Sequence, residues 1–137
     1  MKKAGEIVAR ENITLVIEPL NQLVNHPGYH LSTSDDSFEV IERIDNPYVK
    51  ILFDIYHQQI TEGNLLVNIS ENIKQIGHFH AAGNPGRNEI TKGEINYQHV
   101  FQTIKDLGYE GYIGLEYMVP GDPDEGLRET HENVLVF

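Results

Sequence analysis

The chain has 137 residues, of which 39% are hydrophobic and 23% are charged, so its composition predicts a globular protein rather than a disordered one. Twenty-one acidic residues against ten basic ones give a net charge of -11, which opposes binding to nucleic acid backbones. The chain contains no cysteine, which excludes disulfides and thiolate metal sites, and no apolar run approaches the roughly 18 residues of a membrane helix. We therefore expect a cytoplasmic protein without a nucleic acid or membrane partner.

The first half of the chain predicts two strands, each accompanied by a helix. Residues 1–13 mix apolar and charged positions in a pattern typical of the last turns of a helix, and they lead into a strand over 13–18. Thr33 and the three residues after it offer an N-cap and first-turn acids for a helix that ends before Pro47. A second strand then covers 49–54.

The second half of the chain repeats the same cycle twice. A helix over 65–75 precedes a strand over 76–81, and a helix over 96–107 precedes a strand over 112–117. A final helix is predicted from Leu127 onward. Strands that alternate with helices in this way predict right-handed crossovers and a parallel sheet.

Four βα units make half of an eight-stranded barrel, which usually takes about 250 residues. We therefore predict an α/β fold of the (β/α)8 TIM barrel class. Residues 1–137 would form a single domain, the C-terminal half of such a barrel, with about its last four βα units. An independent flavodoxin-like sheet is the structural alternative, although such sheets usually have five strands.

Each predicted strand ends near a side chain that can bind a metal. These side chains are Glu18, Asp54, His80 and Glu116, and the gaps between them are 36, 26 and 36 residues, each about one strand plus one returning helix. Because the carboxyl ends of parallel strands meet at one rim, we expect three carboxylates and an imidazole to lie close together there. Such an oxygen-rich set favours Mg²⁺ or Mn²⁺, and it leaves Zn²⁺ and Co²⁺ open.

Each of these side chains has an ordinary structural explanation when it is considered alone. A glutamate at the end of a strand is usually solvated, and Asp54 is also a good N-cap for the turn that follows it. His78 shares a strand face with His80, and we expect it to pack or hydrogen-bond inside the barrel. The prediction of a metal site therefore depends on all four positions together.

Two further residues near the strand ends are candidates for substrate binding. His57 follows Asp54 by three residues, and a histidine in this place can contact a substrate, although an isolated histidine is more often structural. Arg87 lies in a loop whose glycines permit a close approach of the backbone. Most loop arginines are solvated, but Arg87 lies near a strand end, and its forked guanidinium suits a carboxylate or a phosphate.

Several phrases of the sequence resemble the C-terminal half of hydroxypyruvate isomerases, which belong to the xylose isomerase-like sugar isomerase and epimerase barrels. The similarity extends from about Ile13 to Gly126. The phrases are IEPLN, FDIYHQQ, IGHFHAAGNPGRNE, GEINY and GYIGLEY.

The resemblance implies one divalent cation and a pair of catalytic glutamates. The implied metal ligands are Glu18, Asp54, His80 and Glu116. Of these, Glu18 and Glu116 would also be the catalytic acid and base, while His57 and Arg87 would hold the oxygens and the anionic end of the substrate. The implied reaction interconverts hydroxypyruvate and tartronate semialdehyde through an enediolate.

The resemblance also leaves alternatives open. Some hydroxypyruvate isomerases have Gln where this chain has His80, whereas the epimerase branch has His there. A ketose 3-epimerase and an inosose-processing enzyme are therefore alternatives. A catalytically silent half barrel is a further alternative, because the predicted units make only half of a barrel, while the acidic charge disfavours an apurinic endonuclease of the same fold. In each enzymatic reading the partner is a small hydroxy-keto acid or sugar. Exposed sheet edges in a half barrel predict a homo-oligomer, for example one made of two half barrels.

Overall fold

The computed structural model describes residues 1–135. Within this range, no helix is both long and apolar enough to cross a membrane. The elements in chain order are α1 (Lys2–Arg10), β1 (Leu15–Ile17), α2 (Ser34–Ile44), β2 (Val49–Asp54), α3 (Ile55–Thr61), α4 (Leu65–Asn72), a 3₁₀ turn (Ile73–Gln75), β3 (Ile76–Ala81), α5 (Tyr97–Asp106), β4 (Ile113–Leu115) and α6 (Pro123–Asn133).

The four strands form one sheet in the order β1-β2-β3-β4, and every neighbouring pair is parallel. The predicted α/β arrangement with a parallel sheet is therefore confirmed. The register pairs Asp54 with His80, and His80 with Gly114. Because of this register, the carboxyl ends of β2, β3 and β4 lie side by side.

The two faces of the sheet differ because strand residues alternate in direction. Ile51, Phe53 and Phe79 are fully buried in the main hydrophobic core, and the rings of Phe53 and Phe79 pack edge to face with their centroids 6.0 Å apart. The alternate positions of the same strands carry Lys50 and His78, which remain partly exposed. The face that packs in the core thus stabilises the strands, while the other face carries polar side chains toward the strand ends.

One helix, α3, was not predicted from the sequence, and the final helix begins earlier than predicted; in each case a local cap starts the helix. The helix α3 begins directly after β2, since Asp54 Oδ1 accepts hydrogen bonds from the backbone N–H groups of Tyr56 and His57 at 2.8 and 3.3 Å. The final helix α6 begins at Pro123 rather than at Leu127. Its N-cap is the residue before that proline, and proline is favoured in the first turn of a helix.

Three other elements are shorter than predicted. The strand β1 covers only Leu15–Ile17 of the predicted 13–18, and β4 covers only Ile113–Leu115 of the predicted 112–117. The helix predicted over 65–75 ends as an α-helix at Asn72 and continues as a 3₁₀ turn. These elements taper at their ends, where backbone groups no longer pair within the sheet or the helix.

The long loop between β3 and α5 folds back over the strand ends. Tyr97 holds its start, because its hydroxyl donates to the carbonyl of Ala82 at 2.7 Å and accepts from the N–H of the same residue at 3.1 Å. A Cβ at Gly83 would clash with the backbone carbonyl of Glu89, so glycine is required at this close approach. The N–H of Met118 donates to the carbonyl of Arg87 at 2.7 Å, which fixes the loop against the segment after β4.

Candidate active site at the carboxyl ends of the strands

The structure brings the four predicted metal-binding side chains to one place. Glu18 and Glu116 each follow directly after an outer strand, whereas Asp54 and His80 lie at the ends of the two central strands. One potential ligand atom from each of the four residues lies within 4.8 Å of the corresponding atoms of the other three. The role of these residues as ligands stays a prediction, but the parallel register supplies the proximity that it requires.

The atoms that face one another in this cluster are buried without hydrogen-bond partners. They include Glu18 Oε1, Asp54 Oδ2 and His80 Nδ1. His80 Nδ1 lies 3.6 Å from Glu18 Oε1 and 3.3 Å from Glu116 Oε2. Since buried polar atoms normally have partners, three such atoms directed at one another fit a bound cation.

The electrostatics of the cluster also fit a divalent cation. Burial raises the pKa of Glu18, and the nearby carboxylates of Asp54 and Glu116 raise it further. Burial likewise raises the pKa of Asp54, although the two backbone N–H groups at its Oδ1 oppose this effect. Three carboxylates and the single guanidinium of Arg87 leave two negative charges, which a divalent cation would neutralise.

Asp54 combines a structural role with a position in the cluster. Its Oδ1 caps α3, while its Oδ2 points toward the other ligand candidates and has no hydrogen-bond partner. The side chain is only 1% exposed. The capping role that the sequence suggested and the predicted role as a metal ligand therefore do not compete, because each uses a different oxygen.

Arg87 lies directly beside the cluster. Its Nη2 forms an ion pair with Glu116 Oε2 at 2.5 Å and lies 3.6 Å from Asp54 Oδ2. Its guanidinium carbon also lies 5.2 Å from the centre of the Tyr56 ring, within the range of a cation–π contact. Arg87 thus balances part of the negative charge at the strand ends and remains within reach of an anionic group bound there.

His57 lies on α3 beside the same cluster and is completely buried. Its Nε2 has no hydrogen-bond partner and lies 3.7 Å from Asp54 Oδ2. Burial lowers the pKa of His57 to about 4, and the positive charge of Arg87 adds to this effect. A histidine with this pKa is neutral near pH 7, so it can donate a hydrogen bond from an N–H without carrying charge.

Two residues that shape the site were not predicted from the sequence. Asn21 is fully buried and contacts the His57 ring, and the Tyr56 ring lies beneath Arg87. Both belong to the phrases that carry the family resemblance, but neither is a metal ligand or an ionic residue, so their chemistry gave no signal. His78, by contrast, packs against the ring of His80 at 5.1 Å, which matches the packing role expected of it.

A model of the protein family described as xylose isomerase-like TIM barrel matches residues 1–135 of the chain. A putative hydroxypyruvate isomerase from Homo sapiens is 36% identical over 128 residues, which is 93% of this chain and 46% of the human protein. A 2-oxo-tetronate isomerase from Cupriavidus necator is 37% identical over 124 residues, covering 90% of this chain and 47% of that protein.

The architecture also matches solved structures. The crystal structure of an AP endonuclease, family 2, from Brucella melitensis superposes with a TM-score of 0.92 at 32% identity, covering 97% of this chain and 51% of that one. The chain therefore spans about half the length of the curated relatives it matches. The prediction that it corresponds to about half of a TIM barrel agrees with this coverage.

The crowding of carboxylates predicts that the site destabilises the metal-free fold. In the presence of a chelator, Glu18→Gln should raise the free energy of unfolding by about 1 kcal/mol, because it removes one of three mutually repelling charges. The exposed Glu6 on α1 offers a matched control, and Glu6→Gln should change stability by less than about 0.5 kcal/mol. Urea unfolding followed by circular dichroism measures both effects.

In the same experiment with added Mn²⁺, the wild type should instead be more stable than Glu18→Gln, since the cation stabilises most the protein that keeps all four ligands. Equal stability of the wild type and Glu18→Gln under both conditions would contradict this electrostatic description of the cluster.

Proposed function

The chain belongs to the xylose isomerase-like TIM barrel family, and on this premise we propose that it carries the active site of a metal-dependent isomerase of small hydroxy-keto acids. The observation that carries the proposal is the convergence of three carboxylates and one imidazole within 4.8 Å at the strand ends. Residues 1–137 would be the C-terminal half of the barrel. A second half barrel would complete the rim and cover the outer edges of β1 and β4. It would be supplied by another copy of this chain or by another segment of a longer protein.

We assign the metal ligands to Glu18, Asp54, His80 and Glu116. Their mostly oxygen donor set suits Mg²⁺ or Mn²⁺, and Zn²⁺ or Co²⁺ are accommodated by the imidazole. Such a cation would stabilise the negative charge that develops on the substrate oxygens as a proton leaves.

The proton transfers would be carried out by the two glutamates. Glu18 and Glu116 come from the two outer strands of the sheet, so a substrate between them has one carboxylate on each side. One glutamate takes the proton from the carbon that bears the hydroxyl group, which gives an enediolate. A proton is returned to the neighbouring carbon, and the hydroxyl proton passes to the former carbonyl oxygen, so that the carbonyl and hydroxyl groups exchange places.

His57 and Arg87 would bind and orient the substrate. The unpartnered Nε2 of His57 can donate to a substrate oxygen, because it is directed toward the cluster from α3. The guanidinium of Arg87 would hold a carboxylate of the substrate through paired hydrogen bonds. This favours a 2-oxo acid over a neutral sugar, and the interconversion of hydroxypyruvate and tartronate semialdehyde is the reaction that we propose.

The names of the two curated relatives agree with a substrate of this class, because hydroxypyruvate and 2-oxo-tetronate are both 2-oxo acids. A ketose 3-epimerase is the second candidate. The observation that favours it is His80, because the epimerase branch has histidine at this position. An endonuclease role is disfavoured, since the net charge of -11 repels a polyphosphate backbone.

The two-glutamate mechanism predicts a large loss of turnover for Glu116→Gln. Because the amide cannot take or return a proton, kcat should fall by about 10² or more in the protein that contains this chain. The exposed Glu110, at the other end of β4, provides a control in the same segment, and Glu110→Gln should retain normal turnover. Near-normal turnover of Glu116→Gln would reject the proposed acid/base pair.

The assignment of Arg87 predicts a change in substrate preference. Arg87→Ala should reduce kcat/KM for hydroxypyruvate about 10²-fold, since a charge-assisted pair of hydrogen bonds is lost, and it should affect neutral ketoses far less. A panel of hydroxypyruvate, 2-oxo-tetronate, tagatose and psicose measures this difference. Equal losses on acids and neutral sugars would remove Arg87 from the carboxylate site and favour the epimerase.

A further inference from the structure

The buried side chain of Asn21 has an amide orientation that its neighbours define. Asn21 lies in the loop after β1 and is 0% exposed. Its Oδ1 accepts hydrogen bonds from the backbone N–H groups of Val24 and Asn25 at 2.9 and 3.1 Å. Because a backbone N–H can only donate, the oxygen of the amide must face this turn and the NH₂ group must face the other way.

The NH₂ group of Asn21 faces His57 on α3. Its Nδ2 lies 2.5 Å from His57 Nδ1 and also donates to Asn25 Oδ1 at 3.0 Å. The backbone N–H of Asn21 points to the same imidazole nitrogen at 3.3 Å. Two donors therefore converge on His57 Nδ1, and both can be satisfied only if this nitrogen carries no proton and accepts.

We propose that Asn21 is a positioning residue that holds His57 in the neutral tautomer with its proton on Nε2. A proton on Nδ1 would meet the two N–H donors of Asn21 head-on, which excludes the other tautomer and the imidazolium ion. The Nε2–H is then directed toward Asp54 and the ligand cluster, where Nε2 is buried and has no hydrogen-bond partner.

This tautomer gives His57 one chemical role within the proposed function, on which this part of the inference rests. An imidazole with a proton on Nε2 donates a hydrogen bond toward the substrate but cannot take a proton from it. It can therefore stabilise a developing negative charge on a substrate oxygen, as a neutral histidine does in triosephosphate isomerase. Proton abstraction is left to the glutamates.

The contacts of Asn21 also connect the loop after β1 with α3, the helix that follows the neighbouring strand β2. Asn25 Oδ1, which accepts from Asn21, accepts the hydroxyl of Tyr56 at 3.0 Å as well. The Tyr56 ring in turn lies beneath the guanidinium of Arg87. The network thus orients both proposed substrate-binding residues. It holds His57 by direct hydrogen bonds, and it holds Arg87 through the cation–π contact with the Tyr56 ring.

The tautomer can be measured directly by ¹⁵N NMR of the histidine side chains of the metal-free wild-type protein near pH 7. The resonance of His57 among the seven histidines is identified by its absence in His57→Gln. We expect an unprotonated Nδ1 and a protonated Nε2. A proton on Nδ1, alone or together with Nε2, overturns the proposal, and this result needs no variant of Asn21 to fold.

Asn21→Asp tests the cause of the tautomer. The aspartate keeps an oxygen for the turn at Val24 and Asn25 but replaces the closer, side-chain donor at His57 with a charged acceptor. Because this acceptor outweighs the more distant backbone N–H of residue 21, Nδ1 should acquire a proton. Asn25→Asp is the matched control, because it adds the same charge to the same network and keeps the Asn21 amide; the wild-type tautomer should persist. An unchanged tautomer in folded Asn21→Asp would refute the assignment.

Turnover provides the second readout. Asn21→Asp should lower kcat about 10- to 100-fold with a smaller change in KM, as for other residues that orient a catalytic side chain. The NMR measurement requires neither metal nor substrate, so it separates this inference from the proposed function. A wild-type protein with its proton on Nε2 supports the positioning role even if it has no isomerase activity, whereas a proton on Nδ1 contradicts that role even in an active isomerase.

Discussion

The candidate site depends on one constraint, which is that a parallel sheet brings like charges to the same buried edge. The register of β2, β3 and β4 places Asp54, His80 and Gly114 side by side. Glu116 directly follows β4, and Glu18 directly follows β1. Carboxylates in a partly buried cluster repel one another and resist ionisation. The fold tolerates this arrangement because the apolar face of the same strands is packed in the core. This excess of negative charge is the reason why we propose a divalent cation at the site.

The residues around the cluster offset only part of this charge. Arg87 contributes one positive charge from a loop that is fixed by Tyr97 and by the segment after β4. Asp54 uses one oxygen to cap α3 and leaves the other free. His57 stays neutral because it is buried beside a guanidinium and receives hydrogen bonds at Nδ1. The neighbours thus orient the cluster without neutralising it, which agrees with the cation that we propose there.

Much of this arrangement was predictable from the sequence, since hydrophobic periodicity reports burial directly. The strands over 49–54 and 76–81 were predicted with the observed bounds, because both are apolar runs between clear helix-ending and loop signals. The proximity of the strand-end side chains followed from parallel topology alone. The starts of helices were harder to predict from the sequence. The start of α3 depends on whether the Asp54 side chain accepts hydrogen bonds from the backbone N–H groups that follow it, which hydrophobic periodicity does not indicate. The contact between Asn21 and His57 joins residues 36 positions apart and involves neither a charge nor a metal ligand, so no local pattern indicates it.

The most direct test of the central claim is a crystal structure of the protein soaked with Mn²⁺, in which anomalous scattering locates the ion. The account predicts one Mn²⁺ at the carboxyl ends of the strands, bound by oxygens of Glu18, Asp54 and Glu116 and by a nitrogen of His80. An ion bound elsewhere, or no ion at millimolar Mn²⁺ with the four side chains turned apart, would contradict it.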